Sequence, residues 1–299
     1  MKYFNDHFGL RKLLVGSYRL LTFHGLRMSP NPAVVVGRSD GERRWLFYDA
    51  SVAQDGIGLA SVQGKAPYTP AALARVVAEI RQVAALVRSR GAKLLIIVSP
   101  DKQTIYPEYL PRAKRPRPGA VSRLDQFWRV APALADIPLL DMRIPLRQAK
   151  AGPQLFYPSD THWNPRGTFL AYQATMRALR ALDPPRAVPA DEQVQWLARP
   201  HRVGDLTVLM GVPPIGGDRD WQPVIAPSVL QAVPKRGKLL LVFDSFFASV
   251  RVLLENHFDQ VTAIPRTRRA RAVITGELLD AEKPDVVIIE SVERYWTMD

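Results

Sequence analysis

The sequence predicts an α/β fold in which a parallel β-sheet is flanked by helices on both faces. Three segments are apolar at nearly every position, as parallel strands buried on both faces are: Lys93–Ser99, Lys238–Phe243 and Pro284–Glu290. Helical patterns alternate with these strands, and such alternation is typical of parallel sheets. The 299 residues fit two average domains of about 150 residues or one large α/β domain. We expect a single domain over residues 1–299.

The N-terminal part begins with an amphipathic helix and a β-hairpin. Apolar residues recur at helical spacing over Leu10–Leu26, with basic residues between them. This pattern favours a helix that packs its apolar side on the core, and a helix lying on a membrane surface is the alternative. Two β-rich segments, Ala33–Gly37 and Trp45–Tyr48, flank an Asp-Gly turn and predict the hairpin.

The remaining elements follow from apolar periodicity and from proline and glycine at their ends. A long helix is predicted from Pro70 to Arg90, because Pro favours a first helical turn and Gly91 a helix end. The Pro- and Arg-rich residues 101–119 indicate a surface loop, and residues 184–233 indicate an irregular insertion of short elements. The other predicted elements are helices over 121–133, 168–182, 246–257 and 277–283, strands over 138–141 and 259–264, and an irregular segment over 154–167.

The composition excludes several classes of protein. Cysteine is absent, which rules out disulfide frameworks, thiolate zinc sites, iron–sulfur clusters and cysteine nucleophiles. The five histidines lack the spacing of a metal site, so we expect neither a metal nor another cofactor. The apolar runs are shorter than the roughly 20 residues of a membrane-spanning helix. The first residues also lack the pattern of a signal peptide.

The chain carries a formal net charge of +13, from 41 Lys and Arg against 28 Asp and Glu. Basic chains often bind nucleic acid. Here no zinc-finger, RNA-binding or basic-zipper pattern accompanies the charge, so nucleic acid is not expected as a partner. A basic genome composition and a polyanionic substrate both remain open as explanations.

A serine lies where a parallel sheet commonly binds its ligand. Ser245 directly follows Asp244 and the strand Lys238–Phe243, and it precedes a predicted helix. In such folds the carboxyl ends of the strands form the binding edge. The N–H groups at the start of that helix favour a developing oxyanion. In isolation, the simpler interpretation of this serine is a helix N-cap.

A second motif offers a base and a carboxylate. Histidine is a base near neutral pH, and a carboxylate beside it fixes its tautomer. Asp160 and His162 are two residues apart, so both side chains point to one face of an extended segment. Such a pair also occurs as an ordinary hydrogen-bonded loop contact. The neighbouring Trp163, Asn164 and Arg166 suggest a surface that faces a glycan.

Taken together, these motifs resemble a known family. Asp160-Thr-His-Trp163, followed at a distance by Asp244-Ser-Phe246, resembles the active site of SGNH-hydrolase-like acetyltransferases, which include alginate O-acetylation proteins of the AlgX/AlgJ type. Further segments resemble the family in the same order along the chain: Phe4–Arg11, Val35–Gly37 with Trp45–Tyr48, Ser99–Lys102 with Ile105–Pro111, and Pro284–Glu290 with Glu293–Tyr295. The resemblance implies a flavodoxin-like parallel sheet.

The resemblance also implies roles for individual residues. Ser245 is expected to be the nucleophile, His162 the general base and Asp160 the carboxylate that orients it. Four residues are expected to contact substrate: Trp163, Asn164, Arg166 and Asp244. One position departs from the family pattern, because Phe243 stands where a glycine usually precedes the Asp-Ser pair. This change is expected to narrow the pocket, shift the oxyanion geometry or reduce activity.

The implied activity is O-acetylation of an exported bacterial polysaccharide, alginate or a similar glycan, through an acetyl-serine intermediate. The implied partners are a membrane-bound O-acyltransferase that supplies acetyl groups and other polysaccharide-export proteins. A periplasmic location beside the inner membrane follows from the same resemblance, and no C-terminal carbohydrate-binding domain is expected. An acetyl esterase with the same triad and a non-catalytic glycan-binding scaffold remain as alternatives.

The resemblance gives the positive charge two possible roles. A basic surface attracts an anionic glycan, whose path would be lined first by Arg112–Arg117, Arg166 and Arg266–Arg271. It equally attracts anionic lipid beside a membrane partner. The charge alone does not choose between glycan and membrane.

Overall fold

A five-stranded parallel sheet forms the centre of this computed structural model. The structure describes residues 10–41, 43–54, 56–182, 188–190, 193–200, 203–213, 219–226, 228–229, 234–266 and 274–296. The strands within these residues are β1 Val34–Asp40, β2 Arg43–Tyr48, β3 Lys93–Ser99, β4 Leu139–Asp141, β5 Val194–Pro200, β6 Arg219–Ile225, β7 Lys238–Phe243, β8 Gln260–Pro265 and β9 Val286–Val292.

Helices surround the sheet and connect its strands. In chain order they are α1 Arg11–Leu20, α2 Leu59–Val62, α3 Pro70–Arg88, α4 Lys102–Ile105, α5 Arg123–Val130, α6 Arg143–Ala149, α7 Pro165–Leu182, α8 Asp205–Met210, α9 Ala248–Leu254, α10 Gly276–Glu282 and α11 Glu293–Trp296. Among the described helices, none combines the length and the apolarity needed to cross a membrane.

The central sheet has the strand order β4-β3-β9-β7-β8, and every pair in it is parallel. Successive side chains of a strand point to opposite faces, and in this sheet both faces are apolar. Leu95 and Ile97 belong to the core on one face, whereas Leu94 and Ile96 belong to the core on the other. The predicted α/β fold with a parallel sheet between helices is therefore confirmed.

Two antiparallel hairpins stand outside this sheet. β1 pairs with β2, as the Asp-Gly turn predicts. β5 pairs with β6 within the segment predicted as an irregular insertion, and α8 lies between these two strands in the chain. This second hairpin packs on α7, where the ring of Trp196 meets Phe169 edge-on at 5.8 Å. The described part of the insertion is thus regular structure.

The N-terminal helix lies differently from the favoured expectation. None of the side chains of α1 is buried, so the expectation that it packs an apolar face on the core is wrong. The chain is instead anchored by the turn that follows α1, where Thr22 and Phe23 are buried. Phe23 packs in a small cluster with Val34, Leu46 and Leu206.

A buried lysine holds the loop that carries the Asp160 motif. The side chain of Lys102 is only 2% exposed, and its Nζ donates to the carbonyl oxygens of Tyr157 at 2.9 Å, Pro158 at 3.0 Å and Asp160 at 2.6 Å. Three carbonyl acceptors match the three donors of an ammonium group. Lys102 comes directly after β3, so it connects this loop to the central sheet.

We expect Lys102→Met to lower the free energy of unfolding by about 3 kcal/mol or more. Methionine keeps an apolar stem, but three carbonyls lose a charged donor, and each such hydrogen bond contributes about 1.5–3 kcal/mol. Urea unfolding measures the change. Lys150→Met is the matched control, since Lys150 forms a half-exposed ion pair with Glu108 and a change of about 1 kcal/mol or less is expected. Equal losses in the two variants would contradict the assignment.

Candidate active site

The turn after β7 places Ser245 at the carboxyl edge of the sheet. Asp244 caps this turn, and its Oδ1 accepts the N–H of Phe246 at 2.9 Å while its Oδ2 accepts the N–H of Val292 at 2.6 Å. Asp244 is buried, and both of its oxygens are engaged by backbone. It therefore lies beneath Ser245 and ties the turn to the end of β9, and a contact between Asp244 and substrate stays a prediction.

A layer of buried charged groups supports this turn from below. Glu290 Oε2 accepts the N–H of Asp244 at 3.1 Å, and the guanidinium of Arg294 pairs with Asp101. Glu293 Oε2 accepts the hydroxyl of Thr104 at 2.6 Å. Burial, followed by the charge of Asp101, raises the pKa of Glu293 to about 7. Burial also raises the pKa of Glu290 well above its usual range.

His162 lies between the serine and a carboxylate. Its Nε2 is 2.8 Å from Ser245 Oγ, and its Nδ1 is 2.7 Å from Asp160 Oδ1. A carboxylate only accepts hydrogen bonds, so Nδ1 carries the proton and Nε2 accepts the serine hydroxyl. The three side chains predicted from the sequence thus form one continuous hydrogen-bonded chain, whose catalytic roles stay proposals.

The conformation of the loop fixes Asp160 and His162 relative to each other. Asp160 Oδ1 also accepts the backbone N–H of His162, at 2.9 Å. Burial disfavours ionisation of Asp160, but the hydrogen bonds and charge of His162 outweigh it and hold the pKa of Asp160 well below its usual range. Asp160 is therefore a permanent negative charge beside the imidazole.

A second carboxylate, which the sequence analysis missed, completes this arrangement. Asp205 begins α8, and its backbone N–H donates to Asp160 Oδ2 at 2.9 Å. Its carboxylate accepts the backbone N–H of Thr161 at 2.7 Å and approaches His162 Nδ1 to 3.6 Å. Burial and the charge of Asp160 raise the pKa of Asp205. Asp205 therefore both braces the loop and places a second carboxylate beside the histidine.

A close approach of backbone allows Asp205 to reach the loop. A side-chain carbon at Gly204 would lie 2.3 Å from the carbonyl oxygen of Ser159, so only glycine fits at this position. Asp205 lies in the segment predicted as an irregular insertion. The only local signal was a glycine and an aspartate before an apolar helical turn, which is typical of any helix N-terminus.

The expected substrate residues next to His162 lie mostly below the surface. Trp163 is buried, with its ring 5.2 Å from that of Phe246. Asn164 Oδ1 accepts the N–H groups of Arg166 and Gly167, so it caps α7. Trp163 also reaches the wall of the cavity beside Ser245. Contacts of Trp163 and Asn164 with a glycan stay predictions.

Arg166 lies beneath the second hairpin. Its guanidinium stacks on the rings of Trp196, at 4.6 Å, and Trp221, at 5.1 Å. Desolvation lowers its pKa. Of the other basic groups predicted to guide a glycan, Arg112 and Arg117 are exposed, whereas Arg268, Arg269 and Arg271 lie outside the described residues.

An open cavity of about 730 Å³ lies beside Ser245 and His162. This volume is in the range of small-molecule sites. Its wall combines the N-terminal end of α7, the strand β6 and the helix α9. The lining residues are Tyr157, Asp160, His162, Trp163, Pro165, Thr168, Gln222, Pro223, Ser245, Phe246, Ser249, Val252 and Leu253. Phe243 is absent from this wall, because its side chain is buried in the core.

The donor for an oxyanion differs from the sequence-based expectation. The N–H of Phe246 donates to Asp244 Oδ1, and that of Phe247 donates to the carbonyl of Asp244. These two amides at the start of the turn are therefore engaged. The backbone N–H of Ser245 donates to no acceptor among the described residues, so it is the amide that remains for an oxyanion.

The site also has the residue types of a cation site. One atom each from Asp160, His162 and Asp205 lie within 4.8 Å of one another. The atoms concerned are the carboxylate oxygens and the imidazole nitrogen that bond to one another, to Thr161 and to Ser245. The arrangement thus has complete hydrogen bonds without an ion.

Comparison with known families identifies the fold and the lineage. A family model described as the SGNH hydrolase-like domain of the acetyltransferase AlgX matches residues 39–241, about two thirds of the chain. The chain belongs to this family. The resemblance inferred from its motifs is therefore confirmed.

Curated relatives share between a quarter and a third of their aligned residues with the chain. The probable alginate O-acetylase AlgJ of Pseudomonas syringae is 27% identical over 214 residues, which are 71% of this chain and 50% of that protein. The protein of the same name from Pseudomonas aeruginosa is 30% identical over 194 residues, 62% of this chain and 42% of that protein. The chain thus spans about half the length of these relatives.

Solved structures show the same fold. The O-acetyltransferase domain of Pseudomonas putida AlgJ superposes with a TM-score of 0.61 at 24% identity, covering 90% of this chain and 93% of that one. Bacillus cereus PatB1 gives a TM-score of 0.61 at 11% identity and covers 88% of this chain and 98% of that one. Pseudomonas aeruginosa AlgX gives 0.54 at 15% identity, with 89% and 63% covered.

Asp205→Ala is expected to lower kcat/KM for an activated acetyl ester about 10- to 100-fold. The variant removes hydrogen bonds to an ionisable partner worth about 1.5–3 kcal/mol each, and 1.36 kcal/mol corresponds to tenfold in rate. Asp205→Asn keeps the shape of the side chain and is expected to lose less. In both variants the acid limb of the pH–rate profile moves to lower pH, because a negative charge 3.6 Å from the imidazole is removed.

The control for this experiment is Asp280→Asn, which removes an exposed carboxylate paired with Arg90. It is expected to leave both the rate and the pH profile unchanged. A purely structural role for Asp205 would lower activity without moving the acid limb, and that outcome would contradict the assignment.

Glu293→Gln is expected to make stability less dependent on pH. A carboxyl whose pKa is raised to about 7 in the folded chain holds its proton there after the unfolded chain has lost its own near 4.5. Its contribution to stability is therefore full below about pH 4.5 and lost as the pH rises through about 7. Chemical unfolding between pH 4.5 and 8 measures this slope, with the half-exposed Glu255→Gln as control. An unchanged slope in Glu293→Gln would refute the expectation.

Proposed function

We propose that this protein is an O-acetyltransferase that acetylates hydroxyl groups of alginate or a similar exported polysaccharide. The observation that supports this most is the hydrogen-bonded chain from Ser245 through His162 to Asp160 at the edge of an open cavity. The relatives named probable alginate O-acetylases support the reaction and the substrate class.

The first half of the reaction forms an acetyl-enzyme. Ser245 Oγ attacks the carbonyl carbon of an acetyl donor while His162 Nε2 accepts the hydroxyl proton. The carbonyl oxygen becomes an oxyanion, and the free backbone N–H of Ser245 is placed to donate to it. When the tetrahedral intermediate collapses, the bond to the donor breaks and His162 returns the proton to the leaving group. The acetyl group is then esterified to Ser245.

The second half transfers the acetyl group to the sugar. A glycan hydroxyl gives its proton to His162 Nε2 and attacks the acetyl-serine carbonyl. Collapse of this second intermediate releases the acetylated sugar, and the proton goes back to Ser245 Oγ. Throughout, Asp160 keeps the Nδ1 proton in place and stabilises the imidazolium. Water in place of the sugar hydroxyl would give hydrolysis by the same steps.

The setting of this reaction follows from the family and from the charge. A net charge of +13 favours an anionic polymer, and alginate is a polyuronate. Family resemblance implies an acetyl donor supplied by a membrane-bound O-acyltransferase, other polysaccharide-export proteins as partners, and a periplasmic site beside the inner membrane. These partners and this location are part of the proposal.

Ser245→Ala is expected to lower the rate of acetyl transfer by several orders of magnitude, as loss of a catalytic serine does. Intact-mass analysis after incubation with an activated acetyl ester is expected to show one acetyl adduct on the unmodified chain and none on the variant. The matched control is Ser249→Ala, which removes another exposed hydroxyl from the same cavity. Transfer by Ser245→Ala at the rate of this control would refute the mechanism.

A second experiment separates transfer from hydrolysis. Acidic oligosaccharide added to the ester reaction is expected to gain acetyl groups and to shorten the lifetime of the acetyl-enzyme. A turnover rate that does not respond to the sugar, with acetate as the sole product, would identify an esterase. The formation of no acetyl adduct at all would favour the non-catalytic scaffold.

A further inference from the structure

The N-terminal helix α1 presents its apolar side to solvent. At 100° per residue, Leu10, Leu13, Leu14, Tyr18 and Leu21 fall on one side, which we call the outer face of α1. All five are exposed, Leu13 by 65% and Leu21 by 64%. A single exposed leucine is unremarkable, but a contiguous apolar face marks an interaction surface.

The opposite side of α1 is the one that meets the protein. Gly16 and Arg19 are half-buried, and the guanidinium of Arg19 lies against Gly211 at the end of α8. The turn after the helix is fixed more firmly, because Phe23 is buried and its carbonyl accepts a hydrogen bond from Arg44 at 3.0 Å. The helix therefore cannot rotate its outer face inward without breaking this anchor.

The charge of this region is entirely positive. Residues 10–39 contain no Asp or Glu. They contain five basic residues: Arg11, Lys12, Arg19, Arg27 and Arg38. A short helix with an apolar face and basic flanks is the pattern of helices that lie in the plane of an anionic lipid surface. The ten residues of α1 rise about 15 Å, which is half of what a membrane-spanning helix needs.

We infer that the outer face of α1 binds the surface of a bilayer that contains anionic lipid. The leucines insert below the headgroups, Tyr18 lies at the margin where its hydroxyl stays hydrated, and the basic residues contact lipid phosphates. This surface accounts for both observations, because a lipid surface covers the apolar face and neutralises the cations. It gives the positive charge of this region a partner other than the glycan.

The inference deepens the proposed location of the enzyme and rests on it for its meaning. α8 connects the two sites, since Asp205 at its start braces the catalytic loop and Gly211 at its end touches Arg19. Six residues of helix rise about 9 Å. The catalytic loop is thus one short helix away from the element that rests on lipid, where a membrane-bound acetyl donor is accessible.

The experiment is vesicle flotation of the full chain, with phosphatidylcholine vesicles that contain or lack phosphatidylglycerol. The chain is expected to float with the anionic vesicles, and less as salt is added. The double variant Leu13→Glu/Leu21→Glu is expected to bind at least tenfold more weakly. Neither leucine is buried, so the fold is expected to persist, and circular dichroism checks this.

The matched control is Val52→Glu/Ile144→Glu, which adds the same two charges at exposed apolar positions outside the outer face. It is expected to bind close to the unmodified chain. A third variant, Lys12→Gln/Arg27→Gln, tests the electrostatic part and is expected to lose about fivefold per cation at low salt.

Three outcomes would overturn the inference. The first is absence of flotation with either vesicle, and the second is equal weakening by the two glutamate pairs. The third is a self-associated species in sedimentation that dissociates in Leu13→Glu/Leu21→Glu, with no vesicle binding, which would assign the outer face to a second copy of the chain. Hydrolysis of an activated acetyl ester in solution is expected to be unchanged by these variants. Its absence from every variant would refute the proposed function and leave the lipid inference standing.

Discussion

The carboxylate of Asp160 is the point on which the site depends. One oxygen accepts two hydrogen bonds from His162, one from the ring and one from the backbone, and the other accepts the backbone N–H of Asp205. A single ionised group thereby fixes the loop conformation, the tautomer of the base and the position of α8. Its negative charge is maintained because the hydrogen bonds and the charge of His162 outweigh the cost of burial.

The rest of the structure supplies what this arrangement needs to stay in place. Lys102 holds the Asp160 loop from the end of β3, and Asp244 holds the Ser245 turn to the end of β9. Arg294 connects the two supports, since it pairs with Asp101 and lies 5.2 Å from the ring of Phe246. The 2.8 Å contact between His162 and Ser245 is therefore set by adjacent strands of one sheet. Buried charged groups cost stability, and here they fix the relative positions of two catalytic loops.

The sequence predicted the fold and three residues of the site because the signals for them are local. Apolar strands alternate with helices, Asp160 and His162 are two residues apart, and Ser245 directly follows a strand. Lys102 and Asp205 were missed because they act over 58 and 45 residues of chain. No spacing rule covers such distances. Trp163 shows a different limit, since an aromatic residue in a polar loop fits a sugar platform and a core contact equally well, and it is buried.

The N-terminal helix shows the same limit for surfaces. Its periodicity establishes that one side is apolar, but periodicity does not state which side meets the protein. That choice is made by the anchor at Phe23 and by the contact of Arg19 with Gly211, and it leaves the outer face of α1 uncovered. Exposed apolar area is unfavourable in water by about 25 cal/mol per Å², so this orientation is stable only because the anchor outweighs that cost. An orientation maintained against the hydrophobic effect has a physical use where the apolar side is covered, and the basic residues around the helix favour anionic lipid as that cover.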